Sequence, residues 1–195
     1  MTTAELPQAA APEQIADHVM ALFKARGNLA YGEDVTEREH GVQCAALARR
    51  DGHDDELIAA ALMHDIGHLL HDAGEDVAER GVDMKHEDLG AVWLARHFRP
   101  QVVEPVRHHV AAKRYLCATQ PGYRAALSPA SEQSLVLQGG EMSPAEIIEF
   151  EAHPHYERLV TVRRYDDMGK DTELSGLSPE SFRDAVVSAA RLARG

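Results

Sequence analysis

An all-α domain of roughly eight to ten helices is what this sequence predicts, and three observations predict it. Apolar residues recur at helical spacing in one segment after another, and no stretch sustains the alternation of a half-buried strand. Ala, Leu, Glu and Arg are frequent while aromatic residues make up only 5% of the chain, a balance that favours helices over sheets. Helix starts and stops of ordinary chemistry punctuate the whole length.

The elements follow in order. Residues 1–12 are small and Pro-containing and read as a flexible tail, leaving 13–195 as a single domain. Ile15, Val19, Leu22 and Phe23 give the segment 12–26 its apolar face, and Gly27 and Asn28 stop it. A loop, NLAYGEDVTEREH, leads to a second helix, with Thr36 as N-cap and Glu39 completing a capping box. That helix carries His40, Val42, Cys44, Leu47 and Ala48 and ends near Asp51-Gly52. Asp54 or Asp55 caps a third helix through Leu57, Ala60, Ala61, Leu62 and His64, which Gly67 loosens. Residues 71–85 are charged, hold two glycines and read as an exposed loop placed like a lid. Helices are expected from His86 to about His97 and from Pro100 to Ala112, with Pro105 near the start of the latter or kinking it. The stretch 113–127 reads as short helices or loop around Pro121-Gly122. A short helix over 129–137 is stopped by Gly139-Gly140, and Ser143-Pro144-Ala145-Glu146 opens the next. A helix through Tyr156–Tyr165 carries Asp166 towards its end, and Ser178-Pro179 opens a terminal helix completed by 184–194.

Composition excludes several classes. At 195 residues the chain is long enough to bury a core as one domain. A formal charge of −12 argues against general nucleic-acid binding, because nothing neutralises phosphates on a large scale. A small anionic substrate remains compatible with it, since a local lysine and a metal can act against the global field. Two cysteines, Cys44 and Cys117, make neither a disulfide framework nor a thiolate zinc site. The amino terminus has no signal-peptide pattern and no apolar run reaches transmembrane length, so a soluble cytoplasmic domain without membrane partners is expected.

The chemistry concentrates at His64-Asp65-Ile66-Gly67-His68. The preceding run, LIAAALM, is apolar, so these polar groups enter a buried environment and need partners. His68 follows His64 by four residues and shares its face if the helix persists that far. His40, His64-Asp65, His86, His109 and Asp166 together offer four imidazoles and two carboxylates. That is too many donors for one structural zinc, but enough for two ions bridged by Asp65. Nitrogen and oxygen donors suit iron, manganese or zinc alike. The plainer reading of an isolated His-Asp pair is a satisfied core histidine beside a capping aspartate, and twelve histidines in one chain include bystanders. His18, His53, His97, His153 and His155 are read as such, and only one of His108 and His109 faces inward. Lys113 lies one helical turn after His109, on the same face. There its ammonium can hold an anionic oxygen, although composition alone reads it as a surface lysine.

On these residues the chain resembles the HD-domain superfamily of metal-dependent phosphohydrolases. It resembles more closely the branch of HD-domain mixed-valent diiron oxygenases of organophosphonate catabolism. REHGVQCA, HDIGH, KHEDLGA, HVAAKRYL, LSPAS, LQGGEM and YDDMGK carry that resemblance from about Gly32 to Lys170. It implies an HD-domain helical bundle with a central dinuclear metal site. His40, His64, Asp65, His86, His109 and Asp166 would be the ligands of an Fe(II)/Fe(III) pair, with Asp65 the bridge and O2 the co-substrate. Lys113 and Ser131 would bind the phosphonate, with His68 near the same group.

The loop Ala30-Tyr31-Gly32-Glu33-Asp34 departs from the branch pattern. In the enzyme acting on the free-amino substrate, a tyrosine three residues before the matching glutamate occupies the substrate position on one iron. Here Ala30 stands at that place and Tyr31 is one residue nearer to Glu33, which puts Tyr31 as a gating ligand in doubt. Glu33 would meet the substrate amine. Tyr31 and Asp34 suit a quaternary ammonium, which offers no N–H donors and is held by ring faces and negative charge. The plainer reading packs Tyr31 at the loop base.

The resemblance therefore implies O2-dependent C–P cleavage of a small 1-hydroxyphosphonate supplied by an upstream hydroxylase. The expected substrate is (R)-1-hydroxy-2-(trimethylammonio)ethylphosphonate, giving glycine betaine and phosphate. Its rivals are the free-amino analogue, giving glycine, an HD-type phosphohydrolase, and a catalytically silent HD module that binds a ligand or partner.

Overall fold

The computed structural model describes residues 6–7, 9–30, 34–70, 85–174 and 176–192, and among these there are ten α-helices and no strand. The helices are α1 (Pro12–Arg26), α2 (Glu37–Arg50), α3 (Asp55–Met63), α4 (Ile66–Leu69), α5 (His86–Leu94), α6 (Pro100–Thr119), α7 (Pro129–Leu137), α8 (Pro144–Glu151), α9 (Tyr156–Met168) and α10 (Arg183–Leu192). The all-α expectation holds. Of the stretch read as a tail, Leu6 packs against the core and Ala10 is buried.

Helix α3 is the axis of the fold. Its residues Leu57 to Met63 are all buried, with Ala59, Ala60 and Ala61 wholly enclosed, and α2, α6, α9 and α10 pack around it. A helix apolar on every side belongs inside a domain. Full burial of Leu57, Ile58, Leu62 and Met63 contributes about 1.5–3 kcal/mol each. Asp54 is the residue that caps it, accepting from Leu57 N at 2.8 Å, and the same carboxylate receives both terminal nitrogens of Arg158 from α9.

The helix does not persist to His68. His64 and Asp65 form a turn, Asp65 leaves helical geometry at φ −102°, ψ 14°, and α4 starts afresh at Ile66. The register that would carry His64 and His68 on one face is therefore broken, and the break projects Asp65 out of the apolar axis.

Two other boundaries differ from the sequence reading. Helix α6 continues through 113–119 because Lys113 and Arg114, charged and apparently solvent-facing in sequence, find partners. Lys113 donates to Ser134 Oγ, while Arg114 pairs with Glu146 and the Gly140 carbonyl. Pro105 stands inside α6 without ending it: the Gln101 carbonyl that its missing N–H would have served accepts from Arg158 Nε at 3.4 Å. The terminal helix opens with a 3₁₀ turn over Pro179–Phe182, and α10 begins at Arg183. A smaller apolar cluster of Tyr115, Leu116, Tyr123, Met142, Phe150 and Leu159 secures the far half of α6 against α8 and α9.

Candidate metal centre and anion pocket

Four helices and one turn deliver six donor side chains to one point. His40 comes from α2, the 64–65 turn gives His64 and Asp65, and α5, α6 and α9 give His86, His109 and Asp166. The two oxygens of Asp65 divide the set. Oδ2 lies 3.2 Å from His64 Nε2 and 3.6 Å from His40 Nε2, whereas Oδ1 lies 3.2 Å from His109 Nε2 and 3.3 Å from His86 Nε2. Asp166 Oδ1 joins the first half, 3.4 Å from His40 Nε2 and 4.0 Å from His64 Nε2.

Local structure fixes how the rings present themselves. His40 Nδ1 donates to the Gly169 carbonyl at 2.9 Å, His64 Nδ1 to Ala61 at 2.9 Å and His109 Nδ1 to Val106 at 2.7 Å. A carbonyl only accepts, so each Nδ1 carries the proton and each neutral ring turns an Nε2 lone pair to the centre. Yet His40 Nε2 and His64 Nε2 are 3.0 Å apart, as are His86 Nε2 and His109 Nε2. In the first pair both rings carry their proton on Nδ1, and two lone pairs do not face each other at that distance unless a proton or a cation stands between or beside them. The donor set fits a pair of metal ions, one on each side of Asp65.

The electrostatics of the protein groups agree. Burial opposes ionisation of both aspartates, but His64 for Asp65, and Arg163 for Asp166, hold the carboxyls well below their ordinary range. Burial also opposes protonation of His64, yet Asp65 raises it to about 9. Cys44 and Asp166 likewise raise His40 against its burial, while burial lowers His109.

Two glycines make the convergence possible. A Cβ on Gly67 would lie 1.9 Å from the His86 carbonyl oxygen, so only glycine lets α4 touch the start of α5. A Cβ on Gly169 would meet Cys44 Sγ at 2.5 Å, and this close approach puts the Gly169 carbonyl under His40.

Beside the histidines is a cluster of lysines and serines. Lys113 is 3% exposed, and its Nζ reaches Ser134 Oγ at 2.7 Å and the Ser131 carbonyl at 3.5 Å. Its burial, reinforced by the charge of Arg163, lowers its pKa to about 8. Ser131, buried in the first turn of α7, receives Lys170 Nζ on Oγ at 3.3 Å. Sequence reasoning brought Lys113 and Ser131 together but missed Ser134, Lys170 and Arg163. Their signal was spacing: Ser134 follows Ser131 by three, and Arg163 and Lys170 flank Asp166 by three and four.

Arg163 is buried among charges. Nη1 donates to Asp166 Oδ2 at 2.6 Å, Nη2 engages Asp167, and Nε donates to the Tyr123 hydroxyl at 3.0 Å. Another buried carboxyl, Glu37, is raised to about 8 by its burial and by the negative charge of Asp65.

The remaining sequence candidates fall as follows. His68 is half-buried and stacks on His86, ring centroids 4.1 Å apart, so it stands on the His86 side of Asp65. Asp34 is exposed, and Tyr31 and Glu33 lie outside the described residues, as does the loop at 71–84. His109 faces inward, and its neighbour His108 joins Glu104 and His153 in a second cluster. That cluster is closed without an ion. His155 N–H donates to His153 Nδ1, placing the ring's proton on Nε2 towards Glu104, and His108 Nδ1 donates to the Glu104 carbonyl.

The sequence profile of the HD domain matches residues 38–148. Over 161 residues the chain is 42% identical to the [1-hydroxy-2-(trimethylamino)ethyl]phosphonate dioxygenase (glycine-betaine-forming) of Leisingera caerulea, covering 82% of each chain. Over 181 residues it is 42% identical to the hydroxymethylphosphonate dioxygenase of Gimesia maris, covering 91% of this chain and 89% of that one. Asp166 lies beyond the HD match, although its carboxylate is in the centre.

Proposed function

Because the chain belongs to the HD-domain family, we propose that its centre is that of an O2-dependent oxygenase that cleaves the C–P bond of a small 1-hydroxyphosphonate. The observation that carries this reading is the division of four imidazoles between the two oxygens of Asp65, next to a buried lysine-serine anion pocket. On this reading His40, His64 and Asp166 would hold one iron and His86 and His109 the other, with Asp65 shared between them. A bound Fe(II)/Fe(III) pair would supply one-electron redox chemistry and a place for O2 that no side chain provides, the net electrons coming from the substrate.

The chain's own part is to bind, orient and keep dry. Lys113 and Ser131 fix the phosphonate oxygens, which holds the hydroxyl-bearing carbon at the metal end of the pocket. Backbone carbonyls hold the His40, His64 and His109 imidazoles in one tautomer, so these rings do not turn when substrate arrives. Arg163 occupies Asp166 Oδ2 and leaves Oδ1 alone to the metal side. His68, stacked on His86, is within reach of the substrate's polar groups on that side. Overall, carbon is oxidised by O2 to a carboxylate while phosphorus leaves as phosphate.

We take (R)-1-hydroxy-2-(trimethylammonio)ethylphosphonate as the substrate, with Tyr31, Glu33 and Asp34 around the cation, made by an upstream hydroxylase. The Leisingera caerulea relative supports it. A second reading, hydroxymethylphosphonate, has equal support from the Gimesia maris relative at the same identity. It needs no cation site. The free-amino analogue and phosphate-ester hydrolysis remain the further alternatives. We take residues 13–195 as one domain, and two free thiols suit a reducing cytoplasm. No helix among the described residues is long and apolar enough to cross a membrane.

The test is phosphate release from the iron-loaded, partly reduced protein with each phosphonate, with and without O2. Oxygen-dependent release from the trimethylated compound supports the full reading. Release from hydroxymethylphosphonate or the free-amino compound alone keeps the oxygenase and replaces the substrate. Nucleotide hydrolysis without O2, and no phosphonate turnover, returns the chain to the hydrolases.

A further inference from the structure

The segment after α9 ties the metal centre to the anion pocket. Asp166 reaches the first metal half, the Gly169 carbonyl orients His40, and Lys170, the next residue, turns into the serines of α7. Lys170 Nζ is 3.3 Å from Ser131 Oγ and 3.5 Å from Ser128 Oγ. Ser128 is the N-cap of α7, its Oγ already accepting from Ser131 N–H at 3.1 Å. Two lysines therefore flank Ser131: Lys113 at its carbonyl and Lys170 at its hydroxyl.

We propose that Lys170 is a second cation of the phosphonate pocket and sets the polarity of Ser131. An ammonium has three donors and no acceptor, so Ser131 Oγ receives from Lys170 and cannot donate back. Its hydroxyl proton is then committed to the pocket, where a phosphonate oxygen accepts it. Ser134 shows the same logic with the opposite result: Oγ receives from Lys113 and donates to the Ser131 carbonyl at 3.1 Å, which uses up its proton inside the helix. Of the two serines within α7 that receive a lysine, Ser131 is thus the donor made available to substrate. The charges also match, since a phosphonate dianion meets two ammonium groups in a protein of net charge −12. Lys170 is a positioning residue acting through Ser131. This inference rests on reading Lys113 and Ser131 as the phosphonate's holders.

The experiment measures methylphosphonate binding by calorimetry to the iron-loaded full chain under anaerobic conditions, for wild type, K170M, K170R, S131A and the K170M/S131A double variant. KM and kcat are measured in parallel on whichever hydroxyphosphonate turns over. K170M should weaken binding and raise KM about ten- to hundredfold, the loss expected for a charge-assisted contact, while kcat changes much less. K170R should recover most of the affinity. The K170M/S131A variant should be hardly worse than either single change, because K170M leaves the Ser131 proton undirected and S131A removes it. Unchanged binding in K170M overturns the proposal. Strictly additive losses also overturn it, since Lys170 would then act independently of Ser131. If K170M fails to fold, K170R and K170Q supply the same comparison. Methylphosphonate binding without turnover of any hydroxyphosphonate sinks the oxygenase reading and leaves Lys170 to be judged on affinity. No binding by wild type sinks the pocket and Lys170 together.

Discussion

Arg163 takes one oxygen of Asp166 and leaves the other to His40. The guanidinium donates to Oδ2 at 2.6 Å, and Oδ1 stands 3.4 Å from His40 Nε2. The pair is buried, with Asp167 and Tyr123 completing the set around Arg163. Arg163→Met should therefore destabilise the fold by about 3–5 kcal/mol, because two neighbouring carboxylates lose their counter-charge. It should also lower iron content at the His40 half, since Asp166 is freed to rotate. Urea denaturation and elemental analysis check the two effects, and unchanged stability would refute the structural part.

Gly67→Ala tests the contact between α4 and α5. The added methyl meets the His86 carbonyl, a backbone atom that cannot swing aside. A cost of about 1–3 kcal/mol is expected from overpacking. Displacement of His86 should empty the His86–His109 half first, giving about one iron per chain in place of two. Retention of both ions with wild-type stability would show that the two helices part easily.

The chelated protein should lose stability as pH rises from about 6.5 to about 9. His64 is held up to about 9 by Asp65 after its burial is overcome, so its folded pKa lies above the unfolded value near 6.5. The folded state then binds more protons in that window, and stability falls as they leave. The metal-loaded protein should not follow, because the ion replaces the proton and its affinity grows with pH. Thermal melts of the two forms across the window check this; parallel curves would contradict it.

On the proposed reading, Lys113 should set the alkaline limit of substrate capture. Burial lowers its pKa to about 8, and only its protonated form attracts a phosphonate. With respect to this lysine, kcat/KM should be level below about pH 8 and fall about tenfold per unit above it, since this ratio reports the free enzyme. In Lys113→Arg the fall should vanish, while Lys113→Ala should keep its iron and lose affinity. A profile identical in Lys113→Arg would assign the limb to another group.

How much of this was legible in the sequence depends on the kind of neighbour each residue has. His64 and Asp65 were readable because they end an apolar helix, where a polar group needs a reason, whereas Asp166 was placed with them by the resemblance. The break at His64-Asp65 was not readable, since ALMHDIGH keeps its apolar spacing through the turn and Gly67 comes too late to mark it. Lys113 and Arg114 hid the continuation of α6, because a charged pair after an apolar run looks like a solvated end. Their partners Ser134, Gly140 and Glu146 are remote in the chain and no periodicity links them. Arg163 was concealed in another way: a helix rich in arginine and aspartate reads as a wet surface until its burial is seen.

The carbonyl that orients His64 belongs to Ala61, one of the last four in α3, which have no N–H of their own helix to accept. One imidazole proton thus closes the central helix and selects the metal-binding tautomer. On the proposed reading, ligand and helix cap are a single residue. Loss of metal in a His64 variant therefore mixes coordination with fraying of the helix on which the fold is built. His86, whose Nδ1 lies towards the side chain of Glu87, is the cleaner place to remove a ligand.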